Sequence, residues 1–214
     1  MTDNNDFPTE TVLSDGSVYR VVPVETGVRA IRAWAEHPWP MSPAQALALR
    51  DRLGWTSSPT DEEMLTTDRG IGEKNAWFLT AEADRGTRTV SSFRMSLTSR
   101  IPKEVMDEAV PITERAFNAY VEALTTVYVQ GTRSKRKQHT TVTWTLPSDA
   151  SVRIGTVSWL ISISITSPAG NEAARGEAQY FAEIADENDV PYIDIDNPDP
   201  DRRLCYGLSR AAAF

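Results

Sequence analysis

Apolar and polar residues alternate most clearly over W-L-I-S-I-S-I-T-S, residues 159–167, where Trp159, Ile161, Ile163 and Ile165 interleave with Leu160, Ser162, Ser164 and Thr166. Successive side chains of a strand point to opposite faces, so this period of two predicts a β-strand with a Trp/Ile row toward a core and a Ser/Thr row on a wetter side. Its β-branched residues suit the pleated surface. Taken as the middle of an antiparallel sheet, the strand has partners on both sides in sequence. Residues 140–146 and 151–156, joined by P-S-D-A, complete a meander with it, and residues 75–82 and 87–99 pair through A-D-R-G. The last of these alternates through Val90, Phe93, Met95 and Leu97 with a slip at Ser91-Ser92, which predicts a bulge. Near the N-terminus, residues 11–13 and 18–23 flank S-D-G-S, whose Asp15-Gly16 suits the positive φ of a tight hairpin that Pro23 ends.

Helical spacing replaces this alternation in four places. Val28, Ile31, Trp34 and Ala35 mark a short helix over residues 28–36, stopped by Pro38 and Pro40. Ser42-Pro43-Ala44-Gln45 is a capping box with proline at the first helical position, and Gly54 suits the left-handed residue past the end, so a helix spans residues 43–53. The broadest stripe runs through Val110, Ile112, Ala116, Phe117, Tyr120, Val121, Leu124, Val127 and Tyr128 and ends at Gly131. Pro111 interrupts it, so either residues 103–109 are a separate turn or the helix begins at Pro111. Ala174, Ala178, Phe181 and Ile184 predict a fourth helix over residues 171–187, after a sheet break at Ser167-Pro168-Ala169-Gly170. Residues 57–72, with T-D-E-E able to start one helical turn, and the basic stretch 131–139 show neither period and read as loops. No repeat of 20 to 50 residues is visible.

These elements predict an α+β fold: a single-domain antiparallel sheet of five or more strands, covered on one face by helices, because an apolar sheet face needs a second layer. The helix over residues 111–129 crosses that face, with the Ser42 helix beside it. Trp144, Ile161, Ile163, Phe117, Tyr120 and Leu124 are the expected core. Residues 1–10 read as a disordered N-terminus, 11–190 as the single domain, and 191–214 as an acidic segment and C-terminal tail.

Composition changes this picture little. A chain of 214 residues that is 40% hydrophobic and 24% charged is an ordinary globular protein. It has no apolar run of the roughly 18 residues a bilayer span requires, and its first residues resemble no secretory leader, so a cytoplasmic location is expected. Charge is more informative. The net charge is −8, and Glu183, Asp186, Glu187, Asp189, Asp194, Asp196, Asp199 and Asp201 lie in one stretch without a lysine or arginine, while acids and bases balance elsewhere. Such a block argues against nucleic acid or an anionic membrane as partner and permits a basic one. Asp186, Glu187, Asp189, Asp194, Asp196, Asp199 and Asp201 are the candidate partner-binding residues.

Candidate chemistry is sparse. Cys205 is the single cysteine, and His37 and His139 stand far apart, which leaves no zinc set and no general-base pair. Gly70-Ile71-Gly72 lacks the third glycine of a phosphate loop. The run from Asp194 to Asp201 resembles a calcium loop but has no glycine at its sixth position, and Cys205 stands where the closing glutamate belongs. Lys135-Arg136-Lys137 is more simply a solvated connection than a phosphate contact. The six tryptophans, Trp34, Trp39, Trp55, Trp77, Trp144 and Trp159, fit core packing better than a ligand box. No catalytic residue, metal or cofactor is expected.

Gly131-Thr-Arg, Thr143-Trp-Thr-Leu-Pro-Ser-Asp, Ser162-Ile-Ser-Ile-Thr-Ser-Pro and W-P-M-S-P-A-Q-A-L-A-L-R-D-R-L-G-W resemble an uncharacterised family of actinobacterial α+β domains. That family is similar to the small cytoplasmic immunity proteins encoded beside polymorphic or type VII secreted toxins. The resemblance covers residues 39–168 and consists of turn and strand signatures. It implies a non-enzymatic immunity protein that binds and neutralises a cognate toxin, for which the acidic block, and not the resemblance, suggests a basic cleft; it carries no catalytic residues. A secretion chaperone or adaptor is the alternative. The N-terminal hairpin and the acidic C-terminal extension depart from the family and inherit nothing from it.

Overall fold

The chain runs through β1 (Glu10–Val12), β2 (Val18–Arg20), α1 (Val24–Ala35), α2 (Pro43–Arg52), β3 (Thr56–Ser58), β4 (Asp61–Thr66), β5 (Ala76–Glu82) and β6 (Arg88–Ser96). A 3-10 turn at Lys103–Val105 then leads into α3 (Met106–Tyr128), β7 (Thr132–Arg136), β8 (His139–Thr145), β9 (Ser151–Val157), β10 (Leu160–Thr166) and α4 (Pro168–Asn188). This computed structural model describes residues 7–67, 70–83, 86–136 and 139–188, with side chains as far as Phe181. The chain divides into two compact units, Met1–Glu172 and Ala173–Phe214. Both sheets, α1 to α3 and the first turn of α4 belong to the first.

Eight strands form one antiparallel sheet in the order β3-β4-β5-β6-β10-β9-β8-β7. The order is that of two four-strand meanders, each preceded by helix, joined where β6 pairs with β10. An antiparallel pair has a local two-fold axis perpendicular to the sheet, and here the topology of both halves follows that axis. The alternating stretch that predicts the central strand is β10, fifth of the eight. β1 and β2 form a separate two-stranded sheet, tied to the larger one by a bridge from Val21 to Thr98.

Ile161, Ile163 and Ile165 are buried with Val142, Trp144, Val152 and Ile154, beneath Ile31, Trp34, Ala116, Phe117, Tyr120 and Leu124. All six expected core residues are therefore inside. Trp34 stacks on Phe93 at 4.0 Å between ring centroids, and Trp55 lies 6.5 Å from Trp34. Trp34, Trp55 and Trp144 are fully within the core, and Trp39 and Trp159 pack against it. Helices α1 and α3 meet at Gly27, where a Cβ would lie 2.6 Å from Tyr120 Cε1 and closer still to its hydroxyl. That hydroxyl donates to the Val22 carbonyl at 2.8 Å. Glycine at this position lets the two helices approach closely enough to make the bond.

Several local expectations are corrected. Residues 57–72, expected as a loop, supply most of β3 at the sheet's edge and all of β4 beside it, and the D-E-E of T-D-E-E is strand; only Leu65 of β4 is buried, so these polar strands show no alternation to detect. The basic stretch after Gly131 is likewise a strand, β7, exposed at all five positions at the other edge. Neither alternative for Pro111 holds, because α3 starts at Met106 and runs through the proline. The lost bond leaves the Asp107 carbonyl without its donor, but Asp107 and Pro111 are exposed and solvent can serve it. The sheet ends at Ser167-Pro168 as expected, but α4 begins there and not at Asn171: the Ser167 hydroxyl accepts from the Gly170 amide at 3.0 Å, with proline in the first turn. Trp159 sits in the β9–β10 turn, where its carbonyl accepts from the Tyr19 hydroxyl at 2.6 Å.

Candidate partner-binding surfaces

The predicted acidic site begins on α4. Its first turn is pinned, since Asn171 Nδ2 donates to the Asp149 carbonyl at 2.7 Å and Asn171 Oδ1 accepts from the Ser151 hydroxyl at 3.0 Å. From residue 172 to 181 every position is exposed, including Tyr180 and Phe181, whose rings meet edge to face at 5.7 Å. A helix normally buries one stripe; this one displays its whole circumference. Its backbone continues to Asn188 and carries Asp186 and Glu187. Asp189, Asp194, Asp196, Asp199 and Asp201 lie outside the described residues, so the helix backbone carries two of the seven predicted residues.

A second surface escapes sequence reasoning. The face of the sheet turned away from α1 and α3 holds the Ser/Thr side of every central strand. Register lines up one row across seven strands: Met64, Trp77, Arg94, Ser164, Arg153, Thr143 and Thr132. Arg94 and Arg153 are both exposed, one strand to either side of Ser164. Arg153 Nε donates to the Thr143 hydroxyl at 3.3 Å, whereas Arg94 has no partner among the described residues. Rows on either side carry Ser92, Thr166 and Ser151, and Ser96, Ser162 and Thr141. Of the six basic residues in strands β6 to β10, which hold no acidic one, Arg94, Arg153 and Arg136 fall on this face by register, whereas Arg133 and Lys135 fall on the other and Arg88 pairs with Glu63 at 3.1 Å. The one signal in the sequence was the Ser/Thr row of residues 160–166; the two arginines meet it only through cross-strand register.

On the opposite face a groove of about 440 Å³ lies between α3 and β7. Asp107 and Glu114 line it from the helix and Arg133 and Lys135 from the strand, and the Arg133 guanidinium stands 5.9 Å from the centre of the Phe117 ring. Its charges cancel, so it selects neither sign. His37 bonds through Nδ1 to the Pro38 carbonyl at 2.9 Å, and His139 lies over Gly155 on the open face, in register with Arg136 and Val157. Among the described residues no group of three or more His, Cys, Asp or Glu could hold a metal ion. No helix there is long and apolar enough to cross a membrane. The buried hydroxyls are structural: desolvation pushes the Tyr19 and Tyr120 phenols up from their ordinary range, and both serve main-chain carbonyls.

Residues 25–167 match a family described as a family of unknown function, DUF6301. No curated protein and no solved structure matches the chain. The match spans α1 through β10 and stops one residue before α4.

Proposed function

We propose, for a chain that belongs to the family of unknown function DUF6301, that it acts as a non-enzymatic immunity protein, binding and neutralising a cognate secreted toxin in the cytoplasm. The observation that carries this reading is α4, exposed at every position from residue 172 to 181, whose sequence continues into the acidic stretch that holds no lysine or arginine. An exposed Tyr180/Phe181 pair beside carboxylates suits a partner surface with an apolar seat and a basic cleft. Toxins that act on nucleic acids or nucleotides need cationic clefts, and an acidic segment imitates the substrate's phosphates. Like charges held together in the free protein repel; a basic partner relieves that repulsion and is steered in from a distance. The resemblance of residues 39–168 to an α+β family that is itself similar to immunity proteins supports the same reading.

Co-expression with the product of a neighbouring toxin gene tests it: relief of toxicity is expected. Improved solubility or export of that product, with no toxicity to relieve, would instead favour a secretion chaperone. Neutralising Asp194, Asp196, Asp199 and Asp201 to asparagine slows toxin association several-fold. Salt weakens the wild type more than the variant, since screening acts over about 8 Å at physiological ionic strength. Equal association rates with equal salt dependence would remove the acidic stretch from recognition.

A further inference from the structure

The open face of the sheet has the opposite charge to the acidic stretch, and it is not needed by the reading above. Its central row sets two guanidinium groups on β6 and β9 with the Ser164 hydroxyl of β10 between them. Two strand spacings of about 4.8 Å put the two backbone origins about 10 Å apart on a rigid base. Arg153 is held in the row by Thr143, and Arg94 has no partner among the described residues. At the β5 and β4 end the same row becomes apolar, through Trp77 and Met64, with the half-exposed Leu79 one row away. Exposed arginines with no paired carboxylate among the described residues, beside an apolar anchor point, are what an acidic and partly apolar partner requires.

We propose that this face is a docking surface for an acidic polypeptide segment, whose carboxylates engage Arg94 and Arg153 across Ser164 while an apolar side chain seats at Trp77 and Met64. Serine and threonine hydroxyls on the flanking rows donate as well as accept, which matches carboxylates and peptide groups alike. Single-stranded nucleic acid is the other anionic candidate, and the observations disfavour it. Sheets that bind it stack bases on aromatic side chains of their central strands. Here β6, β10 and β9 present only Ser, Thr, Arg, Gly, Leu and Val to the open face, and the aromatic residue of the row, Trp77, stands at one end. A net charge of −8 also repels a long polyanion, whereas a short acidic segment responds mainly to the row it touches.

The experiment is fluorescence anisotropy of the full chain with a labelled glutamate-rich decapeptide containing one leucine, at 20 and 150 mM salt, with a single-stranded RNA decamer as competitor. The wild type is expected to bind the peptide at low salt, and Arg94→Gln with Arg153→Gln to weaken it at least ten-fold. Arg133→Gln, on the other face, should leave affinity unchanged. Both arginines of the row are exposed, so the variant's thermal unfolding should match the wild type and exclude misfolding as the cause. No peptide binding, equal affinity in the double variant, or displacement by RNA at lower concentration than by unlabelled peptide would each overturn the proposal. Because the proposed toxin contact depends on Asp194 to Asp201 and a basic partner, these outcomes leave that reading standing or falling by its own test.

Discussion

On one face of the sheet Ile161, Ile163 and Ile165 are closed beneath α1 and α3; one residue along, Ser162, Ser164 and Thr166 stand partly or wholly in water. The two faces come from the same strands and share every backbone hydrogen bond, so their difference lies in side chains alone. On the covered face each residue is confined by neighbours on all sides, and shape decides stability. On the open face residues are confined only along their rows, which leaves them available to a partner. Substitutions therefore separate the faces by what they disturb: folding on one, association on the other.

The largest effect is expected at Trp34, which is stacked on Phe93 and has its indole N–H buried without an acceptor among the described residues. Trp34→Ala should cost about 3–5 kcal/mol in urea unfolding, by lost contacts and the cavity left behind. Trp34→Phe keeps the stacking and discards the unpaired donor, so it should cost markedly less; equal costs would refute the stacking account. Next is Gly27→Ala, where the new methyl meets the ring of Tyr120 and overpacks the α1–α3 crossing by about 1–3 kcal/mol. At this chain length each kcal/mol lowers Tm by about 2–4 °C. A Tyr120→Phe background removes the nearest atom, so the cost of Gly27→Ala should fall there; strict additivity would show that the two side chains are not in conflict. Smallest are Arg153→Ser and Ser162→Ala on the open face, each expected within about 0.5 kcal/mol of the wild type. A loss comparable to that at Gly27 would mean that this face is covered after all.

Periodicity, capping and turn chemistry are local properties, and the sequence by itself determined what depends on them. The alternation of residues 159–167 marked the central strand because one side of it is buried. Ser42, Pro43 and Gln45 marked the start of α2 because a capping box is closed within four residues: the Ser42 hydroxyl accepts the Gln45 amide and the Gln45 side chain accepts the Ser42 amide. The slip at Ser91-Ser92 became a register shift against Leu79 and Thr80, since an extra residue changes the pattern wherever it occurs. The uneven placement of the acidic residues was legible in the same way, from composition alone.

Tertiary structure decided the rest. The edge strands β3 and β7, and β4 beside β3, carry almost no buried residues, so the sheet that completes them is what makes them strands. Helix α3 passes through Pro111 because its buried stripe, from Ala109 to Leu124, outweighs a missing hydrogen bond at a solvent-facing turn. The pairing of the two meanders follows from the contact of β6 with β10, residues about seventy positions apart. The row of Arg94, Ser164 and Arg153 exists only through that pairing. A one-residue change of register would turn either arginine to the opposite face, so no reading of three separate segments could have assembled it.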